Sequence, residues 1–133
     1  EGWANVHLVQ ADAASFAPRE PVDAVLATFV VGMLDDPAAA VDGWADSLRP
    51  GGHLALLDAA QSGRASTWPV DVAFRGLVLA STPDRRSGFE DPPWEVLDER
   101  VAAARRALAE RAVDVADSEH VLGVVRVTGG RIA

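Results

Sequence analysis

The stretch VDAVLATFVVGMLDDPAAAVDGWADSLRPGGHLALLD, residues 22–58, contains two apolar runs separated by a helical pattern. The first run, 22–29, is nearly continuous in apolar residues, as are strands of a parallel sheet that is buried on both faces. Asp36 followed by Pro37 predicts a helix start, and an Arg-Pro-Gly-Gly sequence ends the helix before the second run, 53–57. This order of strand, helix, Gly-Gly turn and strand predicts a parallel α/β unit with a right-handed crossover.

Elements of the same kinds are predicted on both sides of this stretch. A short strand is predicted at 6–10, and the runs 113–115 and 121–128 predict a closing antiparallel hairpin. Helices are predicted over 69–80 and from 91 to 111. The apolar stripe of the second helix consists of Trp94, Leu97, Val101, Ala104 and Leu108. We therefore expect one α/β domain.

Composition excludes several classes of function. The 133 residues include 20 acidic and 12 basic side chains, all of the basic ones arginine, and a net charge of −8 disfavours binding to nucleic acid. The longest uncharged stretch, 24–34, is too short to cross a membrane. There is no cysteine, and the three histidines lack metal-ligand spacing, so we expect no metal. No secretory leader pattern begins the chain, which makes the cytoplasm the expected location.

The segments VQADAASFAP and PVDAVLATFVVGMLDDPAAAVDGWADSLRPGGHLALLD, in this order, resemble the middle of class I S-adenosylmethionine-dependent methyltransferases. The ubiquinone/menaquinone type of small-molecule methyltransferase is the most similar. The resemblance covers about residues 5–58. It implies a Rossmann-like sheet with strand order 3-2-1-4-5-7-6, in which the last strand is antiparallel to the others. Residues 6–10 would be the third strand of that sheet, and 22–29 the fourth, so the chain would supply strands 3 to 7.

The resemblance also implies that two βα units come first, carrying a glycine-rich turn and an acidic residue that hold the cofactor. No G-x-G pattern follows a strand in this chain. We therefore expect residues 1–133 to be a partial domain that lacks its cofactor-binding N-terminal part and is inactive alone. The inner edge of the fourth strand would be exposed. That edge would pair with the missing segment, or form a homodimer along 24–29.

Candidate cofactor-binding residues lie where the first two strands end. By resemblance, the carboxylate of Asp12 would accept a hydrogen bond from the adenine amino group of S-adenosylmethionine, and the N–H of Ala13 would meet a ring nitrogen. Thr28, Phe29 and Val30 would lie beside the methionine part and the transferred methyl group. The alternative is structural: Asp12 caps a turn, and Phe29 and Val30 belong to the core.

Candidate acceptor-binding residues begin directly after the apolar run 53–57. Asp58 would orient a substrate hydroxyl or act as a general base, although a solvated strand end is the alternative. Residues 59–93 interrupt the regular pattern and are predicted to cap the acceptor site. The side chains proposed there for an apolar or anionic small molecule are Trp68, Phe74, Arg85 and Arg86. Ordinary packing is the alternative for these residues, and no catalytic residue is assigned, because methyl transfer from a sulfonium mainly requires positioning.

The resulting functional prediction is methyl transfer from S-adenosylmethionine to a small-molecule acceptor. Two alternatives stay open: a non-catalytic Rossmann-like interaction domain, and a fragment of another nucleotide-dependent α/β enzyme. The coding sequence upstream would separate them, because a glycine-rich turn followed by a strand that ends in an acid would favour the methyltransferase.

Overall fold

The structure is a computed structural model and describes residues 5–59, 72–73, 76, 93–120 and 125–133. The strands are β1 (Val22–Thr28), β2 (Leu48–Ala59), β3 (Ala112–His120) and β4 (Val125–Ile132). The α-helices are α1 (Pro37–Asp46) and α2 (Pro93–Arg111), and a short 3-10 helix spans Val31–Met33. Of the predicted helix over 69–80, only residues 72, 73 and 76 are described, and these three are helical.

The four strands form one sheet in the order β1-β2-β4-β3. Strand β1 is parallel to β2, whereas β4 is antiparallel to both β2 and β3. This is the 4-5-7-6 part of the order that the resemblance implied, with the last strand inserted antiparallel. The predictions of a parallel α/β unit and of a closing hairpin are therefore confirmed, and the hairpin strands extend beyond the predicted runs.

Local sequence explains the connection between β1 and β2. The side chain of Asp36 accepts a hydrogen bond from the backbone N–H of Ala39 at 3.0 Å, which caps the helix start, and Pro37 occupies the first helical position. Helix α1 ends at Asp46, earlier than predicted, because β2 already begins at Leu48. The Arg-Pro-Gly-Gly sequence instead forms an irregularity at the start of β2, where Gly51 has a φ of +80°.

Both α-helices pack on the same face of the sheet. Leu54 and Leu56 of β2 are 0% and 1% exposed and lie in one apolar core with Val41 of α1 and Leu108 of α2. The guanidinium of Arg111 pairs with Asp46 and, at 3.4 Å, with Asp42, which links the ends of the two helices. Within the described residues, no helix has the length and apolar character needed to cross a membrane.

The prediction of a strand at 6–10 is wrong. These residues have no strand conformation and are exposed, with Leu8 at 96%. A strand needs a neighbouring backbone to accept and donate its hydrogen bonds. In the described part of the chain, β1 is the edge of the sheet and no strand lies beyond it. Among the described residues, 6–10 therefore have no neighbouring strand, and the side chains of Val6, Leu8 and Val9 are exposed.

Candidate functional site

The backbone changes direction sharply where β1 ends. Phe29 has a φ of +53°, which is unusual for a residue with a bulky side chain and costs on the order of 1–3 kcal/mol. Its backbone N–H donates to the carbonyl of Leu57 at 2.7 Å, so the ladder between β1 and β2 holds this conformation in place. Strain of this kind concentrates at functional sites, and here it occurs at the carboxyl end of a parallel strand.

The segment before β1 is tied to helix α1 by a single tryptophan. The indole N–H of Trp44 donates to the carbonyl oxygen of Ala13 at 2.9 Å, and the Trp44 side chain is 7% exposed. The two residues are 31 positions apart in the sequence. This contact places residues 7–18 opposite the outer edge of β1 with a gap between them. No local sequence pattern could have identified this contact of Trp44, because it joins residues that are distant in sequence.

The gap is a cavity of about 660 Å³. That volume lies within the usual range for small-molecule sites, which is about 300–1,000 Å³. Three of the five predicted cofactor-binding residues, Ala13, Thr28 and Val30, line this cavity together. The other lining residues are His7, Leu8, Val9, Ala11, Phe16, Pro18, Val22, Ala24, Val25, Leu26, Ala27, Trp44 and Ser47. Most of these side chains are apolar, so the cavity suits a flat, weakly polar group better than a charged one.

Asp12 and Phe29 are the two predicted cofactor residues that do not line the cavity, although each is adjacent in sequence to one that does. The carboxylate of Asp12 is occupied locally. One oxygen accepts from the N–H of Ala14 at 3.0 Å, and the other accepts from the hydroxyl of Ser15 at 3.1 Å. This is the turn-capping role of Asp12 that the sequence left open as an alternative. A carboxylate oxygen can accept more than one hydrogen bond, so the turn does not by itself exclude a ligand contact.

Asp58 lies away from this cavity, on the face of the sheet that α2 covers. It shares that face with Leu54 and Leu56, and it is 4% exposed. Burial raises the pKa of Asp58 to about 6, and the charge of Arg105 offsets part of that rise. Among the described residues, its Oδ2 atom has no hydrogen-bond partner. The alternative of a solvated strand end is therefore wrong, because the carboxylate is buried.

Further polar side chains lie across the sheet from Asp58, and the sequence analysis missed them. Arg126 of β4 is directly opposite Asp58, and Glu119 of β3 is opposite Arg126. In the next row, the hydroxyl of Thr128 donates to Asp117 at 2.5 Å, and Arg105 donates to the same carboxylate oxygen at 2.6 Å. The hydrogen bond from Thr128, followed by that from Arg105, lowers the pKa of Asp117. The strand register and the packing of α2 on the sheet bring these residues together, so no local pattern could have identified them.

The remaining acceptor candidates, Trp68, Phe74, Arg85 and Arg86, lie outside the described residues, as does most of the predicted cap over 59–93. Within the described part of the chain, no three histidine, aspartate or glutamate residues lie close enough to hold a metal ion.

Comparison with known proteins places this geometry in context. Residues 1–56 match a family model described as "Methyltransferase domain". No curated protein matches the sequence closely enough to count as a relative. Among solved structures, the N-methyltransferase NodS from Bradyrhizobium japonicum WM9 aligns with a TM-score of 0.53 at 18% identity, over 98% of this chain and 61% of NodS. A second NodS structure, in complex with S-adenosyl-L-homocysteine, aligns with a TM-score of 0.53 at 17% identity, over 98% of this chain and 56% of that one.

Two larger proteins align over less of their own length. The pyocyanin biosynthetic protein PhzM has a TM-score of 0.60 at 15% identity, over 92% of this chain and 34% of PhzM. The mitomycin 7-O-methyltransferase MmcR has a TM-score of 0.56 at 22% identity, over 95% of this chain and 34% of MmcR. The chain therefore spans less than two thirds of the length of these proteins. Together with the family match, the alignments confirm the resemblance to class I methyltransferases and the truncated Rossmann-like fold.

Proposed function

We propose that this chain, which has the fold of class I S-adenosylmethionine-dependent methyltransferases, is the later part of an enzyme that methylates a small-molecule acceptor. The observation that carries the proposal is the sheet order β1-β2-β4-β3 with β4 antiparallel, on a chain whose first 56 residues match a methyltransferase domain. A parallel sheet that ends in an antiparallel hairpin of this order is the arrangement that the resemblance implied. The alternative of another nucleotide-dependent α/β enzyme is disfavoured by the same two observations.

The described residues suit the adenosine part of the proposed cofactor. The apolar walls around Ala13, Thr28 and Val30 fit a flat aromatic ring, and the cavity volume of about 660 Å³ is adequate for a nucleoside. When bound, S-adenosylmethionine would supply an electrophilic methyl group on a sulfonium. The roles left to this chain are to hold the cofactor, to position the acceptor and to exclude water. Among the described residues, no glycine-rich turn follows a strand to hold the methionine end.

Asp12 is proposed to contact the adenine amino group from its turn. The hydrogen bonds from Ala14 and Ser15 fix the direction of the carboxylate, and each oxygen keeps a further lone pair for a donor. The backbone N–H of Ala13 is proposed to bind a ring nitrogen of adenine beside it. Phe29 would contribute through its backbone, since its left-handed conformation directs the following residue, Val30, towards the cavity.

The acceptor site is proposed over 59–93, with Trp68, Phe74, Arg85 and Arg86 as its side chains. Asp58 would serve this site only in a state in which its carboxylate is accessible, because it is 4% exposed in the structure. Exposure would reduce the burial that raises its pKa to about 6, so the carboxylate would be ionised near neutral pH and able to accept a proton from an acceptor that loses one on methylation.

Calorimetric titration with S-adenosylmethionine tests the cofactor proposal, using the complete gene product. We expect binding, and we expect the 133-residue chain alone to bind poorly. The Asp12→Asn variant separates the two roles of Asp12, because an amide oxygen can still cap the turn while the amide nitrogen would face the adenine amino group donor to donor. A ligand role predicts weaker binding by both Asp12→Asn and Asp12→Ala, whereas a capping role predicts wild-type affinity for the asparagine variant.

Other results of the same titration would contradict the proposal. If the complete gene product did not bind S-adenosylmethionine, the non-catalytic interaction domain would be the better reading. If the 133-residue chain bound as tightly as the complete product, it would not be a partial domain. Asp23→Asn serves as the matched control, since Asp23 is exposed and pairs with Arg49 at 2.5 Å.

Homodimer formation along the outer edge of β1 stays a prediction, which sedimentation of the purified chain would test.

A further inference from the structure

The 3-10 helix after β1 packs against the first turns of α2 without space between them. A Cβ atom added to Gly32 would overlap Leu97 Cδ1 and would lie 3.8 Å from Val101 Cγ2. Val31, the residue before it, is 0% exposed. Leu97 and Val101 are four positions apart and therefore lie on one face of α2. The absence of a side chain at Gly32 is thus what allows the helix to approach this closely.

Arg100, on the same face of α2, contacts the middle of the 3-10 helix at Gly32 and the loop after it at Asp35. One guanidinium nitrogen donates to the backbone carbonyl of Gly32 at 3.4 Å, and another donates to the carboxylate of Asp35 at 3.4 Å. The Arg100 side chain is 32% exposed, whereas that of Asp35 is fully exposed, so water screens the pair with Asp35 more than the bond to the Gly32 carbonyl. A guanidinium can make two such bonds at fixed angles, so it restricts the direction of the segment as well as its distance from α2.

The residues immediately before the same segment line the cavity. Val30, immediately before the 3-10 helix, lines the cavity together with Thr28, and Phe29 between them is held in a left-handed conformation. Val30 is therefore two positions from Gly32, which contacts α2, so the chain connects the cavity wall to that helix. Any displacement of α2 against Gly32 would be passed on to Val30, because the close packing leaves no room to absorb it.

We propose that Gly32 and Arg100 are positioning residues that set the placement of Phe29 and Val30 for the cofactor. This inference rests on the proposed function. It assigns a role in cofactor binding to Arg100 of α2, although no residue of α2 lines the cavity. Arg100 acts on the ligand only through residues 30–35.

The test measures the dissociation constant of S-adenosylmethionine for Arg100→Ala and Gly32→Ala in the complete gene product. We expect Arg100→Ala to raise the dissociation constant by about two- to tenfold, the usual effect of losing one or two hydrogen bonds. We expect a similar rise for Gly32→Ala, because its added Cβ would overlap Leu97 and displace the segment. Arg106→Ala and Gly43→Ala are the matched controls. Arg106 is exposed on the same helix, and a Cβ on Gly43 would have nothing within 4 Å. Both controls should bind like the wild type.

A third control separates positioning from general loss of stability. Leu108→Ala would destabilise α2 by removing a side chain that is 0% exposed and does not line the cavity. Under conditions where all variants are folded, it should keep the wild-type dissociation constant. Equal weakening by Leu108→Ala and Arg100→Ala would overturn the inference, as would unchanged binding by both Arg100→Ala and Gly32→Ala. A wild-type protein that does not bind S-adenosylmethionine would overturn the proposed function, and this inference with it.

Discussion

Replacing Asp58 by asparagine is expected to stabilise the protein above pH 7 and to leave its stability almost unchanged near pH 4. The substitution nearly preserves the shape of the side chain while removing its ability to ionise. Asp58 is 4% exposed on the face of the sheet covered by α2, and among the described residues its Oδ2 atom has no hydrogen-bond partner. A carboxylate in this position pays a desolvation penalty that the neutral amide does not.

The magnitude follows from the pKa of the carboxyl. Burial raises the pKa of Asp58 from 3.8 to about 6, so the folded protein holds the proton more tightly than the unfolded chain does. Stability contributed by this group is therefore lost as the pH rises from about 4 to about 6. A difference of about two pKa units corresponds to about 3 kcal/mol, which the ionised Asp58 costs the folded state above pH 6. Asp58→Asn should recover most of that free energy.

The assay is urea denaturation of wild type and Asp58→Asn at several pH values between 4 and 8. The relevant quantity is the difference in unfolding free energy between the two proteins, because other titrating groups contribute equally to both. This difference should grow from near zero at pH 4 to about 3 kcal/mol in favour of the variant at pH 7.5. Glu110→Gln is the control, since Glu110 is exposed on α2, and its difference should stay within about 0.5 kcal/mol at every pH.

The opposite sign would refute this reasoning. If Asp58→Asn were less stable than wild type at pH 7.5, the carboxylate would be stabilised in its ionised form. Arg105 lowers the pKa of Asp58, and Arg126 is opposite it in the sheet, so an ion pair with one of them would be the cause. A difference that did not vary with pH would show that Asp58 does not titrate in this range.

Three further substitutions test the packing around the site. Trp44→Phe removes the N–H that binds the Ala13 carbonyl, so we expect a loss of about 1–2 kcal/mol in urea denaturation and faster proteolysis within residues 7–18; an unchanged cleavage rate would mean that another contact holds this segment. Asp36→Ala removes the cap of α1 and should cost about 1 kcal/mol, whereas Asp36→Asn should retain most of the stability; equal losses would argue against capping. Leu108→Ala should cost about 2–5 kcal/mol, because its side chain is fully buried, and a loss below 1 kcal/mol would place it outside the core.

The parts of the fold that depend on local patterns were predictable from the sequence. The cap at Asp36 and the apolar runs of β1 and β2 each require only residues that are close in sequence. The apolar stripe of α2 also behaves as predicted, and its members Val101, Ala104 and Leu108 are all buried. Helical periodicity and strand alternation are properties of a single segment, so one sequence is sufficient to recognise them.

The predictions that failed concern contacts between distant parts of the chain. Residues 6–10 have a strand-like sequence, but a strand forms only beside a partner strand. The sequence of the segment does not determine which partner it has. The burial of Asp58 depends on where α2 lies, and α2 begins 35 residues later. The contact between Trp44 and Ala13 likewise joins distant residues. In the candidate site, Thr28 and Val30 line the cavity from the end of β1, as their places in the sequence predicted, whereas Ala13 lines it from a turn and not from the end of a strand. The packing of α2 against Gly32 required the structure.

The position of β2 between β1 and β4 has a consequence for the motions of this sheet. Residues 54–57 have a partner strand on each side, so their amides donate alternately to β1 and to β4, and all of these protons should exchange slowly with solvent. In β1, every second amide points away from β2 and towards the outer edge. The protons of these amides should exchange quickly, because local fluctuations are sufficient and the sheet need not open. Deuterium labelling should therefore show an alternating pattern along β1 beside a uniformly slow β2, and a bound strand at the edge would abolish that alternation.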